Sequence, residues 1–158
     1  MRIIGCGNTD RGDDAAGILV ARRLAELGLD SIEHSGDGFA LLELWHGADD
    51  VVLVDAIVSG APPGTISPWD AGADPIKSQH CRCSTHVFGP AEAIEIARAV
   101  GRLPERIRII GIEAVQFEPG SEPVPDVMQA VEDVVRELYE QSKARAEGCC
   151  VADSSPCN

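Results

Sequence analysis

The chain has 158 residues, of which 44% are hydrophobic and 25% charged, a composition typical of one soluble globular domain with a single core. A formal net charge of −13 without any Lys/Arg cluster argues against binding to nucleic acid or to an anionic membrane surface. No apolar run approaches the ~20 residues that span a bilayer, and the first residues enter a strand without room for a signal peptide. We therefore expect a cytoplasmic protein.

The first half of the chain alternates between strand and helix patterns. Strands are predicted over residues 1–5, 31–35 and 51–55, and the third is a continuous apolar run, as in strands covered on both faces. A Gly/Asn/Asp-rich loop leads from the first strand into an amphipathic helix that begins at Asp13 and ends at Gly28. A short helix is predicted over residues 40–46.

The second half continues the alternation. The patterns predict an edge strand from Thr65 to Trp69, a helix from Ala91 to Val100 and a buried strand from Arg106 to Ile112. A long irregular loop precedes the helix, over residues 70–85. The last helix is predicted from Asp126 to about Ala146.

Strands that alternate with helices predict an α/β fold. We expect a single domain over residues 1–146, with a three-layer α/β/α arrangement and a mainly parallel twisted sheet of about five strands. Residues 147–158 are polar and aperiodic, which predicts a disordered, cysteine-containing tail.

Three candidate metal ligands, Asp14, Asp55 and His86, each follow a strand-like segment. In parallel α/β sheets ligands bind outside the carboxyl ends of the strands, so this topology can place all three on one edge. Two carboxylates and an imidazole can hold a borderline cation such as zinc or nickel. Each residue alone would be a weak signal, and their shared placement carries the prediction.

Other site types fit less well. Gly5-x-Gly7 between a strand and a helix invites a dinucleotide interpretation with Glu33 as the ribose-binding acid, but the third glycine position is Asp10 and carboxylates would face the pyrophosphate. The chain contains neither Gly-Lys-Ser/Thr nor GxSxG, which argues against a P-loop and a nucleophile elbow. Cys81 with His86 could form a thiol nucleophile and base, but no oxyanion hole is marked nearby.

Six cysteines in a cytosolic chain are not expected to form a disulfide framework. Cys6 is expected to be a small buried residue. His80, Cys81, Cys83 and His86 could hold a structural zinc, although a second CxxC is missing. The tail cysteines 149, 150 and 157 are either part of a disordered end or soft ligands that fold back toward Cys81 and Cys83.

An ordered set of motifs resembles one enzyme family, and the resemblance covers roughly residues 1–140. Gly5-x-Gly7-Asn8-x5-Asp14, Val54-Asp55-Ala56-Ile57 and Ser84-Thr85-His86-x-Phe88-Gly89 resemble the three motifs of the [NiFe]-hydrogenase maturation endopeptidases. Residues 36–45 and 109–113 resemble the intervening blocks of that family. The ordered set is far more specific than any one motif.

The resemblance implies an endopeptidase that removes the C-terminal extension of a [NiFe]-hydrogenase large-subunit precursor after nickel insertion. Such a protease carries no permanent cofactor and recognises the nickel of its substrate. By motif position, Asp14, Asp55 and His86 match both the catalytic and the metal-contacting residues. The family is classed with the aspartic-type endopeptidases, and the motifs do not specify how the bond is hydrolysed. We expect a monomer whose partner is the precursor.

The chain departs from the family pattern at three places. Asp14 stands where many members have the longer glutamate, and Ala15-Ala16 replace a stretch that often contains glycine. Cys81-Arg82-Cys83 is an insertion beside His86 and leaves open an extra thiol contact to the metal. The alternative function is a non-catalytic nickel-binding or nickel-delivery module that uses the same three ligands.

Overall fold

The computed structural model describes residues 1–73 and 89–150, with side chains to residue 147. Predictions for His80, Cys81, Cys83 and His86, and for the last tail residues, lie outside this part of the chain. Among the described residues, no helix is both long and apolar enough to cross a membrane.

Among the described residues, the strands are β1 (Arg2–Cys6), β2 (Ser31–His34), β3 (Asp50–Ile57), β4 (Ile66–Asp70) and β5 (Arg106–Glu113). These five strands form one sheet in the order β2-β1-β3-β5-β4. The first four strands in this order pair in parallel, and β4 is an antiparallel strand at the edge. Pro68 of β4 pairs with Ile110 and is tolerated because an edge strand does not need every N–H. The predicted mainly parallel sheet is therefore confirmed.

The α-helices of the described residues are α1 (Ala16–Glu26), α2 (Gly38–Leu44), α3 (Pro90–Ala99) and α4 (Pro125–Cys150). They match the predicted helices, with three differences at their ends. Helix α2 begins and ends two residues earlier than predicted. The first predicted helix begins as a 3-10 turn, Gly12–Ala15, before α1 starts at Ala16. The last one, α4, continues to Cys150 rather than ending near Ala146. The extension is Glu147-Gly148-Cys149-Cys150, which does not continue the apolar stripe of the helix, so periodicity does not mark it.

The two faces of the sheet are covered by different helix pairs, which gives the three layers that the sequence predicts. Helices α1 and α4 contact each other on one face, and α2 and α3 contact each other on the other. Because side chains alternate along a strand, Val52 and Val54 of β3 point into the first core, while Val51 and Leu53 point into the second.

Close approach between β1 and α1 depends on two glycines. A Cβ atom at Gly5 would lie 1.9 Å from the carbonyl oxygen of Gly17, and one at Gly17 would lie 2.3 Å from that of Cys6. No side chain fits at either position without moving the backbone. The tight packing brings the start of α1 against the carboxyl end of β1.

Candidate active site

The candidate site lies at the carboxyl ends of the parallel strands, at the topological switch point of the sheet. Strands β1 and β3 are parallel neighbours, but the chain that leaves β1 runs through α1 to β2 on one side of the pair, whereas the chain that leaves β3 runs to β4 on the other side. The two connections therefore diverge and leave a crevice outside the carboxyl ends of these strands. Ligands of open α/β sheets bind in such crevices.

Asp14 lies at this crevice in the 3-10 turn that follows β1, and only 7% of the residue is exposed. Its carbonyl oxygen accepts the N–H of Asn8 at 3.1 Å, and its N–H donates to the carbonyl of Arg11 at 3.2 Å. Gly7, with φ of +140°, makes this approach possible, since a Cβ there would lie 1.8 Å from the Asp14 carbonyl oxygen. The loop conformation thus fixes the position of the Asp14 backbone.

Asp55 occupies β3 two residues before its end, where it pairs with Gly111 of β5. The pKa of Asp55 is raised to about 7, by burial first and by the negative charge of Asp14 second, while a backbone hydrogen bond from Ala56 opposes the rise. The 3-10 turn that carries Asp14 contacts β3, which carries Asp55, and the charge of Asp14 acts on the Asp55 carboxyl group. The structure therefore brings together two of the three residues that the sequence singles out.

Cys6 lies at the end of β1 on the same side of the sheet as Asp55. Gly5 pairs with Val54, so the next residues along, Cys6 and Asp55, are neighbours across the two strands. The Cys6 side chain is fully buried, and burial, with the charge of Asp55, raises the pKa of its thiol well above the usual value. Cys6 is confirmed as a small buried residue and is a neutral thiol at physiological pH.

The third predicted ligand, His86, lies outside the described residues, as do Cys81 and Cys83. Within the described ranges, no group of three His, Cys, Asp or Glu side chains could hold a metal ion. The complete ligand set of Asp14, Asp55 and His86 therefore stays a prediction, with its two carboxylates located.

Asp13 has a role that the sequence does not reveal. Its fully buried carboxylate accepts three backbone N–H groups of the loop after β5, from Val115 and Gln116 at 2.9 Å and from Val124 at 2.7 Å. Sequence reasoning assigns Asp13 to the helix N-terminus. Instead, its side chain ties the loop that carries Asp14 to the loop between β5 and α4.

Glu113 likewise uses a buried carboxylate to hold a loop, in this case the turn that follows β3. Its buried carboxylate accepts the N–H of Ser59 at 2.9 and 3.0 Å, the Ser59 hydroxyl at 2.7 Å and the N–H of Gly60 at 2.8 Å. These groups belong to the turn that leaves β3, just beyond Asp55. The only sequence signal for Glu113 is its place in the block over residues 109–113.

The glycines and acids that suggest a dinucleotide site have other partners. Gly5 and Gly7 are required by the packing described above, which accounts for the glycine spacing without a phosphate. Glu33 makes a bidentate ion pair with Arg22, at 2.9 and 2.8 Å, which lowers the pKa of Glu33. The structure therefore gives no support to the dinucleotide interpretation.

Comparison with known proteins identifies the family. The profile of the hydrogenase maturation proteases matches residues 23–141, and the chain belongs to this family. Among its relatives, the hydrogenase expression/formation protein HupD of Rhizobium leguminosarum is 27% identical over 94% of this chain and 80% of its own length. The hydrogenase 2 maturation protease of Escherichia coli is 25% identical over 86% of each chain.

Solved structures agree with this assignment. The [NiFe] hydrogenase maturation protease HybD from Thermococcus kodakarensis is 28% identical, with a TM-score of 0.71 over 89% of this chain and 99% of that one. The hydrogenase maturating endopeptidase HybD from Escherichia coli, at 24% identity and a TM-score of 0.72 over 92% of this chain and 94% of its own, shares the fold. The predicted family, fold and hydrogenase-maturation peptidase function are confirmed.

Proposed function

We propose that this peptidase removes the C-terminal extension of a [NiFe]-hydrogenase large-subunit precursor after nickel insertion, and that Asp14, Asp55 and His86 contact the nickel of that substrate. The observation that carries the proposal is the pair of neighbouring carboxyl groups, Asp14 and Asp55, at the switch point of the sheet. The proposal includes the aspartic-type assignment, with no permanently bound cofactor, and a monomer that acts in the cytoplasm.

Electrostatics supports a cation at this position. Two close carboxylates repel each other, and a divalent ion between them would offset that repulsion. Oxygen ligands with one imidazole suit a borderline ion such as nickel. Because Asp14, Asp55 and His86 supply only three ligands, the remaining coordination positions would be filled by the substrate that brings the metal. Recognition of nickel would then also bring the scissile segment to the two carboxylates.

A processing assay on two forms of the precursor tests this function. We expect the purified protein to shorten the nickel-loaded precursor, detected by mass spectrometry, and to leave the metal-free precursor intact. Equal cleavage of both forms would contradict nickel recognition. A protein that binds free nickel tightly but cleaves neither form would instead be the delivery module.

A matched pair of variants places the reaction at this site. Asp55→Asn should abolish cleavage, because it removes one of the two facing carboxylates. Asp49→Asn makes the same chemical change at an exposed residue just before β3, at the opposite edge of the sheet, and should cleave at the wild-type rate. Wild-type activity in Asp55→Asn would refute the assignment.

A further inference from the structure

The part of β3 that carries Asp55 is paired with only one of its neighbouring strands. Among the described residues, the pairing of β3 with β1 ends at Val54, whereas its pairing with β5 continues to Ile57. Strand ends that are paired on one side are held by fewer hydrogen bonds than the middle of a sheet. The position of Asp55 therefore depends on β5 and on the backbone that follows β3.

Glu113, the last residue of β5, contacts both ends of the connection from β3 to β4. Its carboxylate accepts the N–H groups of Ser59 and Gly60 and the Ser59 hydroxyl, at the start of that connection. Its own N–H donates to the Thr65 carbonyl, and its carbonyl accepts the N–H of Gly64, each at 2.9 Å. One residue thus closes the whole connection against the end of the sheet.

The residues that follow Glu113 hold the loop of the other carboxyl group. Val115 and Gln116 donate their N–H groups to the Asp13 carboxylate, and the Asp13 N–H donates to the Gln116 carbonyl. Asp13 directly precedes Asp14. The four residues from Glu113 to Gln116 therefore contact both loops of the candidate site.

Accurate placement of the two carboxyl groups matters for a reaction at this site, because a displacement of about 1 Å can lower a rate on the order of a hundredfold. Functional side chains are held to this accuracy by hydrogen bonds from neighbouring groups that are themselves fixed by packing. Glu113 is only 1% exposed, and both of its carboxylate oxygens accept hydrogen bonds from Ser59. Its chemistry therefore suits holding backbone in place.

We propose that Glu113 is a positioning residue for the peptidase reaction. It fixes Asp55 through the turn after β3, and through residues 115 and 116 it sets the separation between Asp55 and Asp14. This inference rests on the proposed function and deepens it, because it assigns a role in the reaction to a residue outside the set of metal contacts.

Two substitutions at residue 113 test this role in a single-turnover assay with the full chain and nickel-loaded precursor. Glu113→Gln keeps the shape, and its amide can accept the N–H groups of Ser59 and Gly60 and donate to the Ser59 hydroxyl. Glu113→Ala removes all of these bonds. At a temperature where each variant is folded, we expect Glu113→Ala to lower the maximal rate roughly ten- to a hundredfold, and Glu113→Gln to stay within about threefold of the wild type.

Asp50→Ala is the matched control, since it removes a carboxylate that is 4% exposed at the opposite end of β3. It should lower the melting temperature, as Glu113→Ala does, but leave the maximal rate unchanged. An equal loss of rate in the two alanine variants would show that Glu113 acts only through stability, and would overturn the inference.

The other outcomes separate this inference from the protease function. If the wild type does not process the precursor, the function itself fails. If it does and Glu113→Ala is equally fast, or Glu113→Gln is as slow as Glu113→Ala, only the positioning role fails. Should Glu113→Ala not fold, Ser59→Ala decides, because it removes one hydrogen bond from an exposed residue. Its maximal rate should fall on the order of threefold, and a wild-type rate would overturn the role of Glu113.

Discussion

The carboxylate of Asp13 and the backbone N–H of Val115 are 102 residues apart in sequence and form a hydrogen bond of 2.9 Å. This bond joins the loop after β1 to the loop after β5, and the N–H of Asp13 donates back to the Gln116 carbonyl at 2.9 Å. The position of Asp14 is therefore coupled to a loop that begins two strands away in the sheet.

The first prediction concerns this connection. Asp13→Asn replaces a carboxylate that accepts three N–H groups by an amide, whose NH2 would face donors. We expect the free energy of unfolding to fall by about 2–4 kcal/mol, because buried hydrogen bonds to a charged acceptor are strong and unpaired donors are costly. Urea unfolding measures the loss. Asp10→Asn, in the same loop but exposed, is the control and should change stability little; equal stability of Asp13→Asn and wild type would contradict the role of Asp13.

Much of the fold follows from the sequence because local patterns encode it. The apolar run of β3 and the stripe of α1 that includes Ala16, Val20 and Leu24 are buried where the periodicity places them. Asp14 and Asp55 are also predictable, because strand ends in a parallel sheet share one edge. Their proximity follows from strand order rather than from any contact in sequence.

The roles of Asp13 and Glu113 could not be predicted for a physical reason. Their partners are backbone N–H groups in distant loops, and every residue except proline carries such a group, so no residue type at residues 115, 116 or 124 indicates the contact. Glu113 likewise binds a turn 53 and 54 residues away.

A second prediction follows from the raised pKa of Asp55. The folded metal-free protein keeps the Asp55 proton up to about pH 7, whereas the unfolded chain loses it near the usual value of 3.8. Because the folded state binds more protons in this window, stability should fall as the pH rises from about 4 to about 7, and this effect should level off above. Asp55→Asn lacks the titration and should gain on the order of 2–4 kcal/mol over wild type above pH 7.

Melting temperatures in the presence of a chelator, compared at pH 5 and pH 8, measure this difference. The gain of Asp55→Asn over wild type should be larger at pH 8, although the variant is inactive. Asp49→Asn is again the control and should follow the wild type at both pH values. A gain of Asp55→Asn that is the same at pH 5 and pH 8 would show that the carboxyl group has an ordinary pKa.

The third prediction concerns the length of the residue-14 side chain. Asp14→Glu keeps the carboxylate and lengthens its arm, so we expect partial processing of nickel-loaded precursor, whereas Asp14→Asn should abolish it. His86→Ala should also abolish processing, as expected for the third metal contact. We expect all three variants to remain folded, so their circular dichroism spectra should match that of the wild type. Full activity in His86→Ala would remove the imidazole from the ligand set.

The last prediction concerns the end of α4. The Arg145 guanidinium contacts the Asp50 carboxylate, which is only 4% exposed and has its other ion pair with Arg106 at 3.8 Å. Truncation after Ala146 keeps Arg145, so we expect an unchanged melting temperature. Truncation after Ala144 removes it and leaves Asp50 with the longer ion pair alone. The loss should be about 2 kcal/mol, below the value for a fully buried pair because Arg145 is partly exposed.

Comparing the two truncations separates the helix end from the cysteines that follow it. Both remove residues 149, 150 and 157, so the difference in stability between them reports on Arg145. If the two truncated proteins melt at the same temperature, the ion pair does not anchor α4. Processing of nickel-loaded precursor by the longer truncation should equal that of the full chain. A large loss of activity there, without loss of stability, would instead show that the tail thiols belong to the site.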